Sequence, residues 1–244
     1  MIEKELTKQD STQTKGLAAL FMVLLHLFCV KTDLPFTAIL LPSGVPLVYY
    51  LGLFGDQCVA IYCFCSGYAH FLIRQKHTSV SSYYRTMGRQ LLTFLVQFWT
   101  VLLLCTIVGI LSDNPSVPGN LTTFLGNFFL YRNSYCGPWW FVLTYGFLVL
   151  SSGLVCFLCT KLHPVLMIVL SGALYFLTYL QRYHPIISVS DPVLSFCLHQ
   201  FVLYGNSVFP YIIGVLFRKY AVISKSVPFW NRKRFPKRCW LSRD

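Results

Sequence analysis

Four uncharged apolar stretches, 91–111, 138–160, 164–180 and 193–217, each approach the roughly 20 residues that a helix needs to cross a bilayer core. Two more belong with them. Stretch 45–73 is longer and is interrupted by Asp56. Stretch 16–30 is short, but Lys15 and Lys31 at its ends can carry their charges out to the interface on long apolar stems. Lipid offers the backbone no hydrogen bonds, so such segments must satisfy their own N–H and C=O groups, and helices do that. The expectation is an all-α integral membrane protein, a bundle of about six transmembrane helices. The weaker apolar stretch 121–131 reads as interfacial or re-entrant rather than as a full seventh span.

Composition agrees. Only 11% of the 244 residues are charged, where a soluble domain has about a quarter, and the mean hydropathy is +0.59. The charges also orient the chain. With the N-terminus inside and six crossings, only Lys31, Arg132 and Arg182 of the 20 lysines and arginines fall outside. That is the asymmetry expected when positive loops stay cytoplasmic, and it places both termini there. The net charge of +12 is then a product of topology and of contact with anionic lipid, not of nucleic-acid binding. The polar first 14 residues and the lack of a small-residue cleavage site argue against a cleaved signal peptide. Segments 112–120 and 181–192 read as outside loops, the first ending at a glycosylation sequon on Asn120.

Most of the ten cysteines, Cys63, Cys65, Cys156 and Cys159 among them, sit in apolar segments and read as small hydrophobes. Cys156 and Cys159 share a helix face, but no second pair or histidine completes a zinc set, so no metal site is expected.

The polar residues inside the apolar stretches are the candidates for chemistry, because such groups are costly in lipid. His26 follows Lys15 by three helical turns, about 16 Å along the axis. Asp56 lies at a matching depth in the next stretch, which runs back inward. A carboxylate there can orient an imidazole and stabilise its cation, as in a base–orienter pair. The competing reading is that His26 bonds a backbone carbonyl and only packs helices. His70, His77, His163 and His184 fall near span ends or in loops, whereas His199 and Gln200 form an unassigned polar pair inside the last stretch. Trp139 and Trp140 suit the outer interfacial aromatic belt.

Five segments occur in a particular order: KGLAALFMVLLH at 15–26, GDQCVAIYCFCSGYAHFLI at 55–73, YYRTMGRQLLTF at 83–94, GPWWFVLTYGFLVL at 137–150 and FPYIIGVLFRKY at 209–220. In that order they resemble the membrane acyltransferase-3 family, bacterial enzymes that O-acetylate surface sugars. The matching features are a basic residue, ten intervening positions and a histidine, here Lys15 and His26, then Ser66, Gly67 and Tyr68. Arg85 and Arg89 follow, and then Trp140 and Phe141. Lys15 stands where the family usually has arginine, which keeps the charge and loses the bidentate fork.

The resemblance implies a membrane-bound O-acyltransferase of the bacterial cytoplasmic membrane. It would move an acyl group, most simply acetyl, from acyl-CoA to a hydroxyl of a cell-surface or exported sugar. His26 would be the general base, oriented by Asp56. Lys15, Arg85 and Arg89 would hold the phosphates of CoA, and Arg74 reads as an ordinary anchor. Ser66 and Tyr68 would lie beside the substrate, though close packing explains Ser66 equally. Acyl-CoA is a donor substrate here, and no bound cofactor is implied. The partners are the bilayer, acyl-CoA and a carbohydrate acceptor. Family members are longer and carry more spans, so residues 1–222 would be an incomplete acyltransferase domain and 223–244 a basic cytoplasmic tail. A partner supplying missing helices would then be expected. The alternatives are an inactive remnant and a small proton-coupled transporter. The transporter predicts Gly/Pro-interrupted helices in paired halves, and the sequence has no such pairing.

Overall fold

Each long apolar stretch forms a helix, and local side-chain chemistry sets several of the starting points. A computed structural model of the protein describes residues 6–31 and 36–225. Helix α1 (Lys8–Phe28) begins with a capping box, in which the Thr7 hydroxyl accepts from the Asp10 N–H and the Asp10 carboxylate accepts from the Thr7 N–H. Helix α2 (Leu47–Leu53) leads through a 3₁₀ turn (Phe54–Asp56) into α3 (Gln57–Lys76). Ser79 caps α4 (Val80–Leu111), and the sequon residue Asn120 caps α5 (Leu121–Phe128) by accepting the Thr123 N–H. A second 3₁₀ turn (Gly137–Trp139) starts α6 (Trp140–Lys161). Helices α7 (Pro164–Tyr183) and α8 (Pro192–Lys219) both open on a proline, whose missing N–H costs nothing in a first turn. Asp191 accepts two N–H groups at the start of α8.

Among the described residues five helical segments are long and apolar enough to cross a membrane: Leu47–Lys76, Val80–Leu111, Gly137–Lys161, Pro164–Tyr183 and Pro192–Lys219. The chain is therefore an all-helical, multi-pass membrane protein in contact with the bilayer. The expected first span is not among the five. Helix α1 spends its first two turns on polar residues and becomes apolar only at Gly16. Helix α5 has eight residues, too few to cross.

The helices alternate in direction. Tyr62 of α3 donates to the Lys15 carbonyl while Tyr68 accepts from the Leu6 N–H, so α1 and α3 are antiparallel. Tyr83 meets Ser152 near one end of α4 and Phe98 meets Trp139 near the other, so α4 and α6 are antiparallel too. Thr178 lies against Gly205 and Tyr175 against Phe209, which sets α7 against α8. Helices α6 and α8 run together, joined by Tyr204 to Ser151 and by Lys219 to the Cys159 carbonyl. Among the described residues α1, α3, α4, α6, α7 and α8 thus alternate in direction.

Helix α8 is the axis of the bundle and packs on α3, α6 and α7. The close approach of α3 and α8 depends on two glycines. A Cβ on Gly67 would strike the Tyr211 carbonyl, and one on Gly214 would strike the Phe64 carbonyl. In lipid such backbone contact, rather than hydrophobic exclusion of water, holds helices together. The core beside this crossing combines Phe71, Leu148, Met167, Tyr211 and Val215 with Cys63, Cys156 and Cys159, so these three thiols are packing groups.

Candidate functional site

The glycine crossing positions a polar cleft. Above it, Asp56 of the 3₁₀ turn and Gln57 at the start of α3 face Asn206 and Pro210 of α8, Tyr175 and Tyr179 of α7, and Trp140 at the start of α6. Arg182 and Tyr183, in the last turn of α7, complete the lining of a cleft of about 300 Å³. Pro210 has no N–H to donate to the carbonyl four residues back, that of Asn206. The guanidinium of Arg182 lies over the Trp140 ring at 5.7 Å and over the Tyr183 ring at 5.6 Å. It makes no hydrogen bond or ion pair among the described residues. Asp56 is exposed and lines the cleft, and its carboxylate has no hydrogen bond among the described residues. The two charges line one space without neutralising each other. This is a small site with oxygen acceptors, a fork of donors and five aromatic side chains, Phe209 of α8 being the fifth, a composition that suits a polyhydroxylated ligand.

His26 reaches the neighbourhood but not the cleft. Gly55 packs under the Phe21 carbonyl and against Leu25, so the α1 turn carrying His26 adjoins the 3₁₀ turn carrying Asp56. His26 itself is exposed, and no hydrogen bond joins it to Asp56 among the described residues. Lys15 is exposed as well, at the level of Tyr62. Ser66 bonds back to the Tyr62 carbonyl within its own helix, which is a packing contact. Tyr68 is 5% exposed, with Arg218 over its ring.

At the opposite end of the bundle, α3, α4 and α6 enclose a second cavity of about 560 Å³, lined by Arg74, Gln75, His77, Tyr84, Phe157 and Thr160 among others. Arg74 donates to the His77 carbonyl, and both ring nitrogens of His77 are engaged, by Ser82 and Thr86. Arg85 and Arg89 sit on the same end of α4 but turn away from α6, exposed and without hydrogen bonds from their guanidinium groups. Lys15, Arg85 and Arg89 line neither of these two cavities, whereas Arg74 lines the second.

Two residues count for more than their sequence positions suggested. His70 is not at a span end; it is 3% exposed, and its Nδ1 lies 2.9 Å from the hydroxyl of the fully buried Tyr211. Arg182 is not in an outside loop, because α7 continues through Tyr183. The basic helix end at Arg74 and Lys76 hides the first, and the break between hydropathy and helix hides the second. The run YFLTYLQRY at 175–183, with tyrosines every four residues ahead of an arginine, was the available signal for one aromatic face.

A family model described as an acyltransferase domain matches residues 12–241. Among curated proteins and among solved structures nothing matches the chain.

Proposed function

The chain belongs to the acyltransferase-3 family, and from that premise we propose that this membrane acyltransferase moves an acyl group, acetyl in the simplest case, from acyl-CoA to a hydroxyl of a sugar presented at the outer face of the cell membrane. The observation that supports the sugar as acceptor is the cleft of Asp56, Arg182, Trp140 and the α7 tyrosines. Rings stack on the apolar faces of a pyranose, and the carboxylate and the carbonyl edge take its hydroxyl protons.

The donor enters from the opposite, cytoplasmic end. Arg85 and Arg89, four residues apart on one face of α4, and Lys15 meet its phosphates with charge-assisted bonds. The cavity beside Arg74 has room for part of the pantetheine arm. The acceptor oxygen attacks the thioester carbonyl carbon as His26 takes its proton. The C–S bond then breaks, and the CoA sulfur leaves as thiolate and recovers a proton. Asp56 orients and stabilises the imidazolium. No hydrogen bond joins His26 and Asp56 among the described residues, so the pairing proposed here belongs to the loaded state, in keeping with the looser geometry of unliganded sites.

Proteoliposomes holding the purified protein, with labelled acetyl-CoA on one side and sugar acceptors on the other, test this. Label appearing on the sugar across the bilayer is the expected result. Hydrolysis alone, or no reaction with any hydroxyl acceptor, would sink it.

A further inference from the structure

We propose that the cleft selects acceptor sugars that carry an oxyanion, a carboxylate or a phosphate, and that Arg182 is the residue that selects them. The inference rests on the cleft being the acceptor site. Arg182 is one of only three basic residues assigned to the outer side, with Lys31 and Arg132. Each of these lies on an aromatic ring: Lys31 on Tyr49, Arg132 on Tyr131, and Arg182 on both Trp140 and Tyr183. Arg182 differs in lining a cavity. Arg182 is itself exposed, and contact with two rings narrows the positions its guanidinium samples in the cleft. Among the described residues its N–H groups have no hydrogen-bond partner, Asp56 of the same cleft included. A fork of donors held in this way matches two oxygens of one oxyanion. A neutral sugar leaves that fork unmet, whereas a sugar acid or sugar phosphate fills it while presenting its hydroxyls to Asp56.

The test uses the intact protein in detergent and the fluorescence of Trp140, which reports occupancy of the cleft; a Trp140→Phe variant identifies that signal among the five tryptophans. Glucuronate, glucose 1-phosphate and glucose are titrated in parallel. Both anions should bind about tenfold or more tighter than glucose, the range for one charge-assisted contact. Tighter binding by only one of them identifies the source of the oxyanion. Arg182→Gln should abolish the difference while glucose still binds, and Arg182→Lys should restore part of it. Equal affinity for all three sugars in the unaltered protein overturns selection by charge, even if Arg182→Gln proves unstable. Acetyl transfer to neutral sugars with no preference overturns this inference and leaves the acyltransferase reading standing. Failure of every sugar to bind removes both.

Discussion

Asp56 and His26 stand out because nothing near them in sequence explains an ionisable side chain within an apolar run. Their roles are separable by substitution. His26→Ala should insert and accumulate normally, since it removes a costly polar group from α1, yet lower acyl transfer by about 10² or more, the usual loss for a general base. Asp56→Asn should give a smaller but clear loss. Transfer assays at matched protein levels decide, and near-normal turnover by the His26 variant would make it a packing residue. His70 illustrates what a single sequence cannot reveal. Its partner Tyr211 lies 141 residues away, and the nearby Arg74 and Lys76 make it look like part of a polar helix end. The bond is buried, so Tyr211→Phe leaves an imidazole nitrogen unmet. That variant should unfold at a lower temperature in detergent, corresponding to about 1–3 kcal/mol. An unchanged melting temperature would mean that water or lipid already serves His70.

Hydropathy locates helices well and says little about which of them touch. The long stretches became α3, α4, α6, α7 and α8 because length and absence of charge are properties of the segments themselves. Helix α1 fell short because its apolar part is cut by the polar turn that precedes Gly16. The α3–α8 contact was legible only as a hint, in Gly67 as a small residue; that its counterpart is Gly214 depends on the crossing geometry. Equal substitutions on two helices separate the cases. Gly214→Ala forces a methyl group into the backbone of α3 and should lower thermal stability sharply, with loss of activity as the cleft above shifts. Gly88→Ala, on α4, meets nothing within 4 Å and should be neutral or slightly stabilising, because alanine is the better helix former. Equal effects at the two positions would argue that the crossing is not tight.

The whole molecule combines an alternating sense of passage with a one-sided distribution of charge. Side-chain contacts establish that α1, α4 and α7 run one way and α3, α6 and α8 the other. Arg74, Lys76, Lys161, Arg218 and Lys219 all come at the finishing ends of α3, α6 and α8. Positive loops are retained in the cytoplasm. Reporter fusions after Asn114, Lys161 and Asp191 should therefore read outside, inside and outside. An inside signal at Asn114 would invert the arrangement and move the cleft of Asp56 and Arg182 to the cytoplasm.

The central position of α8 also constrains how the protein is made. Helix α3 leaves the ribosome well before α8, and at about 5–20 residues per second the 141 residues between His70 and Tyr211 correspond to a delay on the order of ten seconds. During that interval Gly67 and the His70 ring lack the partner that α8 supplies in Tyr211. Biogenesis therefore includes a waiting stage, in which inserted helices are held loosely in the bilayer or by an insertion factor. Helix α8 then completes its interfaces with α3, α6 and α7.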